Sequence, residues 1–198
     1  MIKPSLLLNF DVEILEIEKG NIIFDYGSKA HYYYQVKSGE VKMNNFNRDG
    51  KEFIQRIFYG GQSFGEPPLF ADVCYPASAE TITDAEIYRL PKDVFLSLLK
   101  KHPEIHLKVS EVLASRLYYK AIMASEISSQ EPEHRILRLL DYSKEHIHNL
   151  NPSQVFKVDF TRQQIADLTG LRVETVIRAC KALEKKSDIK IRKGKILR

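Results

Sequence analysis

Residues 12–17 alternate apolar and polar positions with period two, and further short β-type segments follow at 21–24, 32–36, 40–43, 52–58, 77–82 and 85–90. Gly20, Gly27, Gly39, Asp49-Gly50 and Gly60-Gly61 fall between them, and Asp49-Gly50 is a good hairpin signal. Strands spaced this regularly predict a small antiparallel barrel or jelly roll, because a parallel sheet needs a helix between consecutive strands.

Near Lys92 the period becomes that of a helix. Pro103 has the place of a first-turn proline, opening a long helix that runs to about Ser128. Its apolar positions are Ile105, Val109, Val112, Leu113, Leu117, Ala121, Ala124 and Ile127. That stripe is wide enough for two surfaces, its own barrel and a partner copy of the same helix; packing of both sides within one chain is the alternative. Residues 128–132 are polar, and Pro132 disfavours helix at Glu131, so a boundary is placed there. A second amphipathic helix follows, with Ile136, Leu139, Leu140 and Tyr142 apolar. A loop at 149–152, a strand at 155–160, and two short helices parted by Gly170 complete the pattern.

Residues 161–178 carry the clearest functional signal. Thr161 with Gln164 three residues later is a capping-box pattern, Ala166 is small where two helices must cross closely, and Gly170 supplies a turn. Ile165, Leu168, Leu171, Val176, Ala179 and Leu183 form one apolar seam, so the stretch reads as a helix-turn-helix. With its second helix in a major groove, Val173, Glu174 and Arg178 face base edges, while Arg172, Thr175 and Lys181 lie nearer the backbone. Arginine can bond guanine O6 and N7 together, glutamate can accept from cytosine N4–H, and valine can meet a thymine methyl. Taken alone, Glu174 and Arg178 would be a surface ion pair worth about a few tenths of a kcal/mol. Residues 189–197 read as a hairpin, with the cationic turn Arg192-Lys193-Gly194-Lys195 placed to meet phosphates. The predicted fold class is α+β: an N-terminal β-barrel or jelly roll over 1–102, a long dimerisation helix over 103–130, and a winged helix-turn-helix DNA-binding domain over 131–198.

Composition narrows the classes. Of the 198 residues, 43% are hydrophobic, ample for packed cores. Residues 131–198 hold 15 Lys and Arg against 9 Asp and Glu, whereas the rest of the chain holds 15 against 17. A positive C-terminal third suits a phosphate backbone, although an acidic protein or a membrane surface would attract it too. No stretch approaches a membrane span or a signal sequence, which predicts a cytoplasmic protein without membrane attachment. Cys74 and Cys180 lie far apart, without a Cys-x-x-Cys pair, so two buried thiols are expected rather than a disulfide framework, zinc knuckle or iron–sulfur cluster. His102 with His106, and His146 with His148, have spacings a metal could use but no third ligand nearby, and no metal site is predicted.

The order of elements and the helix-turn-helix resemble the Crp/Fnr family, the catabolite-activator and fumarate-nitrate-type regulators, over nearly the whole chain. The matching residues are the Ser38-Gly39-Glu40-Val41 turn, the cassette Phe64-Gly65-Glu66-Pro67-Pro68-Leu69-Phe70, and Thr161-Arg162-Gln163, Gly170 and Glu174-Thr175-Val176 with Arg178. The last set is the more specific. The resemblance implies a homodimer joined through the long helix, an effector-holding barrel, and recognition helices on a palindromic double-stranded DNA site. Arg162 and Gln163 join the DNA-binding set, and Glu174 and Arg178 would read a G·C pair in each half-site. RNA polymerase is a further partner the family suggests. Val173 replaces a second base-reading arginine of the catabolite-activator type, and Arg172 replaces the usual Ser or Thr cap, giving up about 1 kcal/mol.

The sensor cassette departs further. A cyclic-nucleotide site needs an arginine followed by a small hydroxyl residue to hold the phosphate. Here the corresponding pair is Pro76-Ala77, with Ser78 one place late, and Lys120-Ala121 stands where polar residues would reach the purine. Gly65, Glu66, Pro76, Ala77 and Ser78 therefore outline an effector pocket in which cyclic AMP is not expected, and an unknown small effector, or none, is. No iron–sulfur or haem ligand set is present, and Cys74 reads as an inert half-buried thiol rather than a redox sensor. Two other classes compete. One is a sensor module whose C-terminal helices contact only protein, against which the basic C-terminal third argues. The other is an enzyme, for which no nucleophile–base set, phosphate loop or clustered histidines exist, His31 being the only histidine of the barrel region.

Overall fold

The computed structural model describes residues 1–129, 131–148 and 150–198; the side chains of residues 127–129 are outside the description, and with them the Ile127 end of the predicted stripe. Asn149, the first residue of the expected loop at 149–152, also lies outside the described residues. The chain divides into two compact units, Met1–Ser115 and Arg116–Arg198.

The first unit contains two four-stranded antiparallel sheets. One has the order β1 (Glu13–Ile17), β8 (Ala85–Pro91), β3 (Tyr32–Ser38), β6 (Ser63–Phe64), and the other the order β2 (Ile22–Phe24), β7 (Ser78–Thr81), β4 (Val41–Phe46), β5 (Glu52–Phe58). This is the jelly roll that the period-two pattern predicts. Tyr34, Val36, Phe64 and Ile87 from one sheet, and Phe24, Val41, Met43, Phe58 and Ala79 from the other, share a single core. Helix α2 (Pro67–Ala71) follows β6, and α3 (Lys92–Lys101) follows β8.

Strand β3 is buried on both faces. Its Tyr33 ring stacks on Phe95 of α3 with centroids 4.4 Å apart. Gln35, 1% exposed, has both polar atoms of its amide partnered. Its Oε1 accepts from the Ile2 N–H at 3.0 Å and the Tyr33 hydroxyl at 2.8 Å, and its Nε2 donates to the Ile2 carbonyl at 2.9 Å. A buried amide is tolerated only when satisfied, and here it fastens residue 2 and the short helix α1 (Pro4–Leu7) to the sheet. Helix α4 (Pro103–Ser129) begins at the proline that the sequence marks, and its Ile105, Val109 and Leu113 pack against this core.

In the second unit, Glu131 is extended (φ −91°, ψ 108°) ahead of Pro132, as a proline requires of its predecessor, and α5 (Pro132–Tyr142) starts there. Its Ile136, Leu139 and Leu140 are buried, and Tyr142 stacks on Tyr119 with centroids 3.7 Å apart. A π-helical stretch (Ser143–Ile147) continues α5; α6 (Arg162–Thr169), α7 (Val173–Lys185) and the hairpin β9 (Lys190–Arg192) and β10 (Lys195–Leu197) complete the unit. Two histidines of this unit are engaged by rings, His146 stacking on Tyr142 and His148 lying against Phe156, while His134 lies 3.2 Å from Glu131. No helix among the described residues is long and apolar enough to cross a membrane.

Two expectations need correction. The strand expected at 155–160 does not form: Lys157 makes one isolated bridge to Leu197, and the segment is otherwise irregular. Its partner β10 is only three residues long, so the ladder stops at the Phe156–Arg198 pair (2.7 and 2.8 Å) and the Val158 N–H on Ile196 (2.9 Å). The alternation of Phe156, Val158 and Phe160 serves to bury three side chains, while Val155 is 74% exposed. Cys74 is also exposed, not buried: Asp72 turns left-handed (φ 51°) at the end of α2 and directs residues 71–74 to solvent.

The Ser38-Gly39 turn is the tightest point of the jelly roll. Gly39 is left-handed (φ +84°), and a Cβ there would lie 2.4 Å from the Asp84 carbonyl oxygen and 2.8 Å from Ala85 Cα. Both the backbone strain and the overlap act against any larger residue. Gly39→Ala is expected to lower stability by about 2–4 kcal/mol, read as a fall in the urea midpoint at unchanged slope.

Candidate nucleic-acid interface

The helix-turn-helix is built by its local chemistry. Thr161 Oγ1 accepts from the Gln164 N–H at 3.0 Å, and Gln164 Oε1 accepts from the Thr161 N–H at 2.8 Å, closing the capping box that starts α6. Gly170 (φ 71°) ends α6 in the left-handed conformation, and Leu171 N–H returns to the Ala166 carbonyl at 3.0 Å. Arg172 is extended (φ −83°, ψ 148°) and places no side-chain cap on α7, as its side chain dictates. Ile165, Ala166, Val176, Ala179 and Leu183 are buried between the helices, with Leu168 and Leu171 half-buried at the margin.

Burying that seam fixes the outward face of α7. Glu174, Ile177, Arg178 and Lys181 are exposed, spaced as one side of a helix, with Arg172 exposed just before it. Val173 and Thr175 are half-buried at the flanks of this face, as is Arg162 at the start of α6. Gln163 is exposed and donates its Nε2 to Asp167 Oδ1 at 2.9 Å. Among the described residues Glu174 and Arg178 form no ion pair with each other, so the pairing that their spacing permits is not made. Ile177, 42% exposed at the edge of the charged face, is absent from the sequence-based set. The period of 174, 178 and 181 was the signal that could have found it.

Polar clamps hold this face from behind. Arg135 of α5, nearly buried, donates from Nη1 to the Thr169 carbonyl at the end of α6 at 3.1 Å. The Arg198 guanidinium grips Asp141 of α5 at 2.7 and 3.1 Å and the Asp188 carbonyl at 2.7 Å. Glu184 of α7 accepts from the Ile191 N–H of β9 at 3.0 Å, fixing the hairpin to the helix. The hairpin turns through Lys193 (φ 48°) and Gly194 (φ 77°), both left-handed, which is the two-residue type I′ connection; Arg192, Lys193 and Lys195 are exposed around its tip.

In the first unit the cassette residues have different surroundings. Gly65 (φ +73°) is covered by aromatic rings, a Cβ there falling 3.0 Å from Phe24 Cζ and 3.1 Å from Tyr75 Cε1. Phe24 and Tyr75 stack at 3.7 Å, and Phe24 also packs on Tyr34 and Phe64. Glu66 is fully buried and accepts the Ser63 hydroxyl. Pro76 is exposed, with its carbonyl taking the Asn45 side-chain amide at 2.9 Å; Ala77 is fully buried; Ser78 Oγ accepts the Tyr26 N–H at 2.9 Å. Burial pushes the Tyr75 phenol up, with Tyr34 and Glu66 adding to it, and burial likewise raises Tyr34. Among the described residues no group of three or more His, Cys, Asp or Glu side chains gathers as a metal site would need.

Residues 14–102 match the family model of the cyclic nucleotide-binding domain, and residues 134–198 match that of the Crp-like helix-turn-helix domain. The chain is a Crp/Fnr-type transcription regulator. Members and neighbours of this family share its fold at low identity. The c-di-GMP-responsive global regulator CLP of Xanthomonas campestris superposes with a TM-score of 0.75 at 22% identity, covering 97% of this chain and 95% of that one. FixK2 of Bradyrhizobium japonicum gives 0.74 at 20%, covering 93% and 91%, and a CooA mutant of Carboxydothermus hydrogenoformans gives 0.78 at 17%, covering 100% and 86%. Among curated proteins, lysophospholipase NTE1 of Chaetomium globosum is 29% identical over 116 residues, and that of Aspergillus terreus 30% over 116. Those stretches take in 58% of this regulator but only 8% of the length of either lysophospholipase.

The capping box offers a direct check on how the Crp-like domain is held. Thr161→Ala removes the acceptor for the Gln164 N–H and is expected to cost about 1 kcal/mol of stability. Thermal denaturation of the full chain measures it, and Thr161→Ser, which restores a hydroxyl, should recover most of the loss.

Proposed function

We propose that this regulator binds double-stranded DNA sequence-specifically as a homodimer on a palindromic site, using α7 and the β9–β10 wing of each protomer. The observation that carries the proposal is the outward face of α7. Glu174 and Arg178 stand exposed and uncommitted to each other, beside a rigid hairpin tipped with cations. Arg178 then reads guanine, Glu174 accepts from cytosine, and Arg172, Thr175, Lys181, Arg162 and Gln163 contact the backbone or border the groove. The second copy is supported by α4, where Leu107, Leu117 and Tyr118 are 72%, 69% and 67% exposed and Ala114, Ala121 and Ala124 are exposed with them. Apolar residues at such spacing on one long helix suit a paired helix. The working division is 1–102 for the sensor, 103–130 for the dimerisation helix and 131–198 for DNA binding.

The protein acts in the cytoplasm without catalysing a reaction, and RNA polymerase is its further partner. Its likeness to the lysophospholipases covers too small a share of them to bring their activity with it. The sensor pocket around Gly65, Glu66, Pro76, Ala77 and Ser78 takes a small effector other than cyclic AMP, or none. Its cassette carries Pro76 and Ala77 where a cyclic phosphate would need an arginine and a small hydroxyl residue.

Selection of bound duplexes from a random pool at physiological salt tests the proposal, with a two-fold symmetric site expected and unselective binding counting against it. On the selected site, Arg178→Ala is expected to cost about 1–3 kcal/mol and to relax one base pair per half-site, whereas Arg172→Ala weakens all sequences alike and flattens the salt dependence. Equal effects of both variants on every sequence would remove the base-reading assignment. Millimolar cyclic AMP is expected to leave the Tm unchanged, and a clear rise would show that the cassette does bind it.

A further inference from the structure

Ile177 is a large apolar side chain, 42% exposed, at one edge of a face otherwise made of Glu174, Arg178 and Lys181. Its position follows from the fold. Val176 and Ala179 on either side of it in sequence point into the seam with α6, and the helical rotation turns Ile177 away from them. It lies one turn beyond Val173 and Glu174 and one turn before Lys181, so it shares the surface that those residues present. Two-fifths of its surface stays open to water, and a branched hydrocarbon left there gains nothing for the free protein.

The major groove offers few apolar features, and the thymine C5-methyl is the one that distinguishes a base pair by hydrophobic contact. Arg178, adjacent to Ile177, is suited to the O6 and N7 of guanine, so the isoleucine reaches a neighbouring base step while arginine and glutamate hold a G·C pair. We propose that Ile177 is a specificity-determining residue that selects a thymine beside that G·C pair in each half-site, by burying its side chain against the thymine methyl. The proposal rests on the DNA-binding reading given above. It assigns the methyl contact to Ile177 rather than to Val173, which is half-buried at the first turn of α7 and already partly covered.

The test uses the full-length chain and a duplex obtained by the selection experiment. Each thymine of the site is replaced in turn by uracil, which keeps every hydrogen-bonding group and deletes only the methyl. For the unaltered protein one thymine per half-site is expected to show a loss of about fourfold in affinity when its methyl is removed, the amount one buried carbon supplies. The Ile177→Ala protein is expected to bind the thymine and uracil duplexes equally while still requiring the G·C pair. Because the residue is exposed and alanine favours helix, its fold is checked by an unchanged Tm.

Uracil sensitivity that persists in Ile177→Ala and disappears in Val173→Ala would overturn the assignment, as would specific binding insensitive to uracil at every position. Either result leaves the regulator reading standing. Failure of the selection to yield any motif would instead remove that reading, and this inference with it.

Discussion

The crossing of α6 over α7 is the constraint on which the functional half of the molecule depends. Ala166 is buried at the crossing, and Gly170 makes the left-handed turn between the helices. A larger side chain at 166 would push the helices apart, and a residue with a Cβ at 170 would strain the turn. Once the crossing is fixed, the inward set of Val176, Ala179, Cys180 and Leu183 determines by rotation which residues of α7 look outward. The cations and hydrogen bonds behind the helix keep that rotation from drifting. Arg135 closes the carbonyl end of α6, and Arg198 joins α5 to the approach of the wing. Small residues at the contact and polar clamps behind it thus prepare a surface whose chemistry is carried by a handful of side chains.

The jelly roll has the framework of a cyclic nucleotide-binding domain, with its cassette packed by the chain's own aromatic rings. Gly65 and Glu66 stand in the order that the family cassette requires, but the space in front of Gly65 is taken by the Phe24 and Tyr75 rings. Burial keeps the Tyr34 and Tyr75 phenols neutral, because a phenolate is poorly solvated there. Asn45 and the Tyr26 amide engage the Pro76 carbonyl and the Ser78 hydroxyl, so the loop is stapled to the sheet. Aromatic packing of this kind stabilises the sandwich whether or not a ligand arrives.

Much of this was legible in the sequence, and the reasons differ by element. Seven of the eight jelly-roll strands announce themselves as short apolar-rich segments separated by turn residues, alternating where one face meets solvent and continuous where, as in β3, both are buried. Strand β6 escaped, since two residues carry no period. The capping box, the left-handed Gly170 and the hairpin tip were readable because each is a local rule satisfied by neighbours in sequence. Residues 155–160 misled for the opposite reason: alternation records which side chains are buried, and it takes a partner strand of matching length to make a ladder. The exposure of Cys74 follows a left-handed Asp72, a conformation open to aspartate but marked by no pattern in the neighbouring sequence. Ile177 was not legible because an isoleucine between Val176 and Arg178 reads equally well as part of the buried seam until the helix rotation is fixed.

The two cysteines differ in a way that is useful at the bench. Cys180 is shut inside the helix-turn-helix, where burial raises its thiol, with Arg162 only partly opposing the shift. Cys74 opens to solvent at the tip of the cassette loop. A maleimide dye or spin label therefore enters the native protein at one position, without any engineered cysteine, and reports from beside the sensor cassette. Ligand screening by fluorescence and distance measurements between the two copies of a dimer can both start from unmodified sequence.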